Sequence, residues 1–163
     1  MDIYKYAMEM EKDGEVLYRE MAANTGNTGI RNILIMLADA EVRHYDIFKK
    51  MKEAEKEKVE VPDTNILNDV KNIFKKIKKT GELSNLHASQ IELYKKAQGI
   101  EKKSEEFYLK EADEVKDESQ KRAFRKIAKE ESKHYLILEN IINLIERPQQ
   151  WLENPEWYHL EEY

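Results

Sequence analysis

Residues 30–51 read IRNILIMLADAEVRHYDIFKKM, and residues 124–145 read FRKIAKEESKHYLILENIINLI. In both stretches an apolar residue recurs every third or fourth position, which is the spacing of a helix with one buried face. One Glu-x-x-His pair interrupts each apolar stripe at mid-length, and these pairs are Glu41/His44 and Glu131/His134. Side chains three residues apart lie on one helix face, one turn from each other. Both stretches therefore predict core-facing helices that carry a carboxylate and an imidazole inside the core.

A second motif precedes each of these helices. Thirty residues before each paired glutamate stands another glutamate, which a tyrosine follows after seven residues, and these pairs are Glu11/Tyr18 and Glu101/Tyr108. A spacing of seven places both side chains on one helix face. The small residues Ala7, Gly14, Ala97 and Ser104 lie on the same faces. Small side chains beside a carboxylate leave room for another group in the core.

The two halves of the chain are related by an offset of 90 residues without gaps. Matching positions include Tyr4/Tyr94, Ala7/Ala97, Glu11/Glu101, Tyr18/Tyr108, Ala38/Ala128, Glu41/Glu131, His44/His134 and Ile47/Ile137. Each half, residues 1–57 and residues 84–147, predicts one helical hairpin. Two such hairpins predict a four-helix bundle with an internal pseudo-twofold axis.

Capping and breaking residues predict where the helices begin and end. We expect long helices over residues 2–24, 28–57, 84–115 and 118–146, with Asn27 or Thr28 capping the second and Arg147-Pro148 ending the fourth. Between the hairpins, residues 58–83 form a connection that contains a short amphipathic helix over 64–79, with Asp63 as its cap. A single long crossover of this kind is required by the ferritin-like arrangement. We therefore predict an all-α, ferritin-like bundle over residues 1–147 and a C-terminal tail over 148–163.

Four carboxylates and two imidazoles that converge in a core need a compensating charge, because an isolated buried carboxylate is strongly destabilising. Two divalent metal ions would balance the four negative charges. The predicted ligands are Glu11, Glu41 and His44 for one ion and Glu101, Glu131 and His134 for the other, with some carboxylates bridging. Oxygen and imidazole ligands suit iron or manganese better than calcium, and zinc also fits. One Glu from each of two helices, with Glu-x-x-His from each of the other two, is the di-iron carboxylate pattern. Tyr18 and Tyr108 are expected to donate hydrogen bonds to ligand carboxylates, or only to pack.

Composition narrows the class of protein further. The 163 residues contain no Cys, which excludes disulfides, thiolate zinc sites and iron held by four thiolates. A net charge of −5 gives no electrostatic argument for binding nucleic acid. No apolar run approaches the ~20 residues of a membrane-spanning helix, and the N-terminus lacks the apolar stretch of a signal peptide. We expect a cytoplasmic protein with neither nucleic-acid nor membrane partners.

A third Glu-x-x-His pair, Glu156/His159, follows Pro155 and has no repeat mate, so a structural role is expected for it.

These motifs resemble the rubrerythrin family of the ferritin-like superfamily. The resemblance covers residues 1–57 and 84–147 and rests on the two Glu-x₆-Tyr and two Glu-x-x-His motifs, with the tail sequence Glu153-Asn-Pro-Glu-Trp157 as a further similarity. It implies two iron ions, reduction of hydrogen peroxide to water, a homodimer, and an electron donor such as a rubredoxin.

Two departures separate this chain from the family pattern. It lacks the four Cys of a rubredoxin domain, so the electrons would come from a separate donor. Ser104 also stands where rubrerythrins carry an extra Glu, one turn after the ligand Glu101, which brings the site closer to simpler ferritin-like centres. Three hypotheses follow: an oxidoreductase acting on peroxide or O₂, an iron-oxidising storage or buffering protein, and a non-catalytic metal-binding bundle.

Overall fold

The computed structural model describes residues 1–53 and 58–153. In these residues the chain forms helices and no strand, which confirms the predicted all-α ferritin-like bundle. The helices are α1 (Ile3–Asn24), α2 (Thr28–Glu53), α3 (Ile66–Thr80), α4 (Ile91–Glu114), α5 (Glu118–Glu146) and α6 (Pro148–Glu153), and a short 3-10 helix (Ala88–Gln90) precedes α4.

Short polar residues cap the starts of α1 and α2, and the sequence predicted the cap of α2. The carboxylate of Asp2 accepts hydrogen bonds from the backbone N–H groups of Tyr4 and Lys5 at the start of α1. Asn27 Oδ1 accepts from the backbone N–H of Ile30 at 3.1 Å, which identifies Asn27 as the cap of α2. Such caps satisfy N–H groups that have no partner inside the helix. Helices α1 and α2 then pack along their lengths as one hairpin, and α4 and α5 as the other.

The core is divided into two apolar clusters with a polar layer between them. One cluster holds Phe48, Met51, Phe124 and Ile127, and the other holds residues such as Leu34, Leu37, Leu138 and Ile141. The two Glu-x-x-His pairs lie on the same stripes between these apolar residues, and every position of both stripes is buried. The polar layer is thereby shielded from solvent at both ends of the bundle.

The connection between the hairpins runs the length of the bundle. Its first part follows α5, because Val59 exchanges two hydrogen bonds with Ser119 and Thr64 donates one to Glu130 further along the same helix. Helix α3 then continues to the opposite end, where Ile77 packs against Gly29 at the start of α2. An added Cβ on Gly29 would lie 2.9 Å from Ile77 Cδ1, so α3 and α2 are in close contact there. This is the long crossover that the pseudo-symmetry requires.

Two predicted helix starts are wrong. Helix α4 begins at Ile91 rather than at residue 84, since Asn85 adopts a left-handed φ of 62° that an α-helix cannot contain. Helix α3 covers Ile66–Thr80 rather than 64–79, and Asp63 does not cap it. The Asp63 carboxylate instead pairs with Lys126 Nζ of α5 at 2.7 Å.

At the C-terminal end, α6 places Trp151 in the core. Its indole packs edge-on against Phe74 of α3, with 5.3 Å between ring centroids. The predicted end of the second helix at residue 57, Trp157 and the Glu156/His159 pair lie outside the described residues. No helix in residues 1–53 and 58–153 combines the length and apolar character needed to cross a membrane.

Candidate metal centre

The six predicted ligands meet at mid-height in the bundle, and each of the four long helices contributes. Glu11 comes from α1, Glu41 and His44 from α2, Glu101 from α4, and Glu131 and His134 from α5. All six residues are buried, with 0–4% of their surface exposed. The helical spacing of three residues within each pair accounts for this convergence, since each stripe faces the bundle axis.

The six residues form two overlapping groups of potential ligand atoms. One group consists of Glu11, Glu41, His44 and Glu131, and the other of Glu41, Glu101, Glu131 and His134. Within each group the candidate atoms lie within 4.8 Å of one another. Each group therefore contains the three residues predicted for one ion and adds one carboxylate from the other half of the chain.

Both imidazoles point the same nitrogen into the cluster. His44 Nδ1 lies 2.9 Å from Glu131 Oε1 and 3.6 Å from Glu11 Oε2. His134 Nδ1 lies 3.2 Å from Glu41 Oε1 and 3.3 Å from Glu101 Oε1. The two rings are nearly parallel, with centroids 5.8 Å apart. Glu41 and Glu131 belong to both groups and stand where carboxylates bridging two ions would be needed.

The two tyrosines connect the hairpins through the outer carboxylates. The Tyr18 hydroxyl of α1 donates to Glu101 Oε1 of α4. The Tyr108 hydroxyl of α4 donates to Glu11 Oε1 of α1 at 2.8 Å. Of the two roles considered for these tyrosines, hydrogen bonding to carboxylates or packing alone, the structure shows hydrogen bonding. Burial and the nearby carboxylates raise the pKa of both phenols well above the usual value, so the hydroxyls keep their protons and remain donors.

The four carboxyl groups divide into two with raised and two with lowered pKa. Burial, reinforced by neighbouring carboxylates, raises the pKa of Glu41 and Glu131 well above the usual range. Burial acts in the same direction on Glu11 and Glu101, but hydrogen bonds from neighbouring carboxyls and the charges of the histidines outweigh it and lower their pKa. Without metal, protons thus hold together a cluster that could not carry four negative charges.

The donor set fits two divalent metal ions. Within residues 1–53 and 58–153, Glu11 Oε2 and Glu101 Oε2 are buried and have no hydrogen-bond partner, although each belongs to a carboxylate in the cluster. Buried polar atoms are rarely left without a partner, and an ion would satisfy both. Four carboxylates also balance two divalent charges, and oxygen with imidazole donors suits iron, manganese or zinc. That these six residues are ligands remains a prediction, which this geometry supports.

Space for the cluster comes from small residues on α1 and α4. A Cβ added to Gly14 would lie 3.1 Å from Glu41 Oε2, so a larger residue there would displace this carboxylate. Ser104, the matching position of the second half, is buried one turn after Glu101. Between the two helices, the lining of a narrow cleft includes Gly14, Tyr18 and Glu101.

One buried carboxylate next to the cluster was missed from sequence. Glu130 of α5 is 4% exposed, and its Oε1 accepts a hydrogen bond from Thr64 Oγ1 of the crossover at 2.5 Å. Its Oε2 lies 3.8 Å from His134 Nε2. Burial alone would raise the pKa of Glu130, but the Thr64 hydrogen bond and the charge of His134 keep it below the usual value. The available signal was its position four residues before His134, on the same helix face.

Comparison with known proteins identifies the family and the fold. A family model described as Rubrerythrin matches residues 2–142. Among solved structures, a hypothetical protein from Pyrococcus furiosus has the same fold, with a TM-score of 0.63 and 21% sequence identity over 88% of each chain. No curated protein matches this chain.

Proposed function

The chain belongs to the rubrerythrin family, and from this premise we propose that it is a non-haem di-iron oxidoreductase. Its substrate would be hydrogen peroxide, with O₂ as the alternative oxidant, and the product would be water. The electrons would come from an external donor. A homodimer and a cytoplasmic location complete the proposal.

The observation that supports this proposal most strongly is the overlap of the two ligand groups. Glu41 and Glu131 belong to both groups, so two ions bound there would share carboxylates and lie close together. A single-ion site would not need six converging ligands from four helices. Two adjacent iron ions suit a two-electron reduction, because each ion would supply one electron and its charge would change by a single unit.

The reaction to be balanced is H₂O₂ + 2 H⁺ + 2 e⁻ → 2 H₂O. Two ferrous ions, when bound, would supply both electrons and polarise the oxidant. The protein would hold the charge balance through its four carboxylates. Tyr18 and Tyr108 would keep Glu101 and Glu11 in place by donating to one oxygen of each carboxylate. The apolar clusters on both sides of the polar layer would exclude bulk water from the site.

Electrons must reach the site from outside these 163 residues, which contain no Cys for a rubredoxin-type iron. A separate small iron–sulfur protein of the rubredoxin class is the proposed donor.

Anaerobic loading with Fe(II) followed by peroxide titration tests the proposal. One peroxide should oxidise two ferrous ions per chain, and reduced rubredoxin should then return the site to the ferrous state for repeated turnover. Glu139→Gln is a suitable control because Glu139 lies on α5 outside the cluster and contacts Gln98. Stoichiometric oxidation that no donor reverses would contradict the oxidoreductase function.

Iron oxidation for storage or buffering is a second candidate, favoured by Ser104. This residue is buried where the family carries its extra Glu, so the site resembles simpler ferritin-like centres. The two functions differ in assembly and in turnover. Light scattering after size-exclusion chromatography should give a dimer for the oxidoreductase, whereas a shell of about twenty-four subunits holding iron mineral would favour storage.

A further inference from the structure

The His134 imidazole has two nitrogens in different surroundings. Nδ1 faces the carboxylates of Glu41 and Glu101 at 3.2 and 3.3 Å. Nε2, the other ring nitrogen, is buried and has no hydrogen-bond partner among the described residues. In the same part of the chain, Glu130 Oε2 is likewise buried without a hydrogen-bond partner, and it lies 3.8 Å from this nitrogen. A donor and an acceptor thus face each other slightly beyond hydrogen-bonding distance.

Glu130 is held in this position from its other side. Thr64 Oγ1 donates to Glu130 Oε1 at 2.5 Å, and Lys133 Nζ lies 3.4 Å from the same oxygen. Thr64 belongs to the crossover segment that runs along α5. The crossover therefore fixes a carboxylate directly behind one of the two predicted histidine ligands.

The described residues of the first half place no such carboxylate behind His44. By the 90-residue offset, Ala40 occupies the position of Glu130, and it has no side-chain oxygen. In residues 1–53 and 58–153, no Asp or Glu oxygen lies within 4.0 Å of His44 Nε2; the carboxylates that His44 contacts both face Nδ1. The pseudo-symmetry of the ligands is therefore broken in the residues behind them.

We propose that Glu130, held by Thr64, is a positioning residue that accepts a hydrogen bond from His134 Nε2–H and makes the two metal positions unequal. The inference rests on the proposed metal centre. A neutral imidazole that binds metal through Nδ1 carries its proton on Nε2. Such a proton needs an acceptor, and a carboxylate acceptor fixes the ring orientation and strengthens the ligand. His134 has this support from Glu130, and His44 does not.

Anaerobic titration with Co(II), a spectroscopic probe for both positions, tests the inequality. The wild-type protein should bind two Co(II) ions in two resolved steps. In Glu130→Ala, which gives the second half the residue found in the first, the tighter step should weaken by about 10- to 100-fold while the other stays unchanged. Glu130→Gln keeps an acceptor and should recover most of the affinity. Thr64→Val should fall between them, and Thr64→Ser should resemble the wild type.

A proton signal separates positioning from a general structural effect. In the Co(II)-loaded wild type, one histidine N–H resonance shifted by the metal should exchange slowly with water. Glu130→Ala should make that exchange faster, whereas the control Glu139→Gln should change neither the exchange rate nor the binding steps.

The possible failures are distinct. Equal binding of both ions by the wild type, unchanged affinity in Glu130→Ala, or equal weakening of both steps would overturn the inference while leaving the metal centre intact. A wild-type protein that binds no Co(II), Fe(II) or Mn(II) would contradict the metal centre and this inference together.

Discussion

Single titratable groups in the cluster make the stability of the metal-free protein depend on pH. Glu41 and Glu131 have raised pKa values in the folded, metal-free protein. Above the usual value of 4.5 the unfolded chain releases these protons while the folded protein keeps them. The stability contributed by both groups therefore falls as the pH rises from 4.5 towards their folded-state pKa. The pKa of His134 is also raised, despite burial, by Glu101, and its contribution falls with rising pH above 6.5.

We therefore expect Glu41→Gln to stabilise the metal-free protein and to prevent metal binding. The glutamine amide does not titrate, so folding no longer requires the uptake of a proton at this position. The free energy of unfolding at pH 7 should therefore increase by about 1–3 kcal/mol. The free energy of unfolding should also decrease less steeply between pH 5 and 8 than in the wild type. Urea unfolding across this range, combined with elemental analysis after loading, measures both effects. A variant that is less stable than the wild type at pH 7 and still binds two ions would contradict the assigned role of Glu41.

The Tyr108 hydroxyl should contribute to stability through its hydrogen bond to Glu11. The bond is buried and ends on a carboxylate whose pKa is lowered despite burial, so it is charge-assisted. Tyr108→Phe should lower the free energy of unfolding by about 1.5–3 kcal/mol and slow peroxide reduction without changing the number of bound ions. Tyr135→Phe, at a residue 38% exposed, is the matched control and should change none of these quantities.

A buried polar residue can be predicted from sequence when it interrupts an apolar stripe. The six cluster residues could be found because each Glu-x-x-His pair interrupts an apolar stripe and recurs after 90 residues. Glu130 interrupts no stripe and has no repeat mate, since its partner position is Ala40. Its carboxylate accepts a hydrogen bond from Thr64, which lies 66 residues away in a segment with no repeat. Local pattern gives no information about such a contact.

At the scale of helices, periodicity predicted the interior of each element better than its ends. The bounds of α5 agree with the prediction because Asp117 caps its start and Pro148 follows its last turn. The start of α4 was placed seven residues early, since Asn85 has a positive φ and packs against Gly26 of the other hairpin, a contact that local periodicity does not indicate. An added Cβ on Gly26 would lie 2.9 Å from Asn85, so the turn and the loop fit closely.

Two helical glycines give an element-scale prediction with a built-in control. Gly99 in α4 is exposed, and no atom of the described residues lies within 4 Å of an added Cβ, so Gly99→Ala should stabilise the protein by up to about 1 kcal/mol through helix propensity. Gly14→Ala in α1 gains the same propensity but places its Cβ 3.1 Å from Glu41 Oε2. We expect Gly14→Ala to lower Mn(II) affinity about tenfold or more, while Gly99→Ala leaves it unchanged. Calorimetric titration of both variants decides this, and equal affinities would show that Glu41 adapts freely.

At the scale of the whole molecule, the cluster joins two hairpins that otherwise pack mainly within themselves. Helix contacts are most extensive between α1 and α2 and between α4 and α5. Inside the polar layer, by contrast, His44 contacts Glu131, His134 contacts Glu41, and each tyrosine reaches a carboxylate of the opposite hairpin. Metal bound there would be a cross-link between the halves, and its binding free energy would add to the stability of the complete fold.

Metal should therefore raise the melting temperature of the whole bundle in one cooperative step. Ligand present at about 1,000 times its dissociation constant stabilises a folded protein by about 4 kcal/mol. For a chain of this size each kcal/mol corresponds to roughly 2–4 °C, so we expect an increase of roughly 8–16 °C. Calorimetry of metal-free and Mn(II)-loaded protein at pH 7 measures it. The double variant Glu41→Gln/Glu131→Gln lacks both shared carboxylates and should melt at the same temperature with and without Mn(II). If Mn(II) instead raises the melting temperature of the double variant as much as that of the wild type, the stabilising ions bind elsewhere, and the cluster does not link the hairpins through metal.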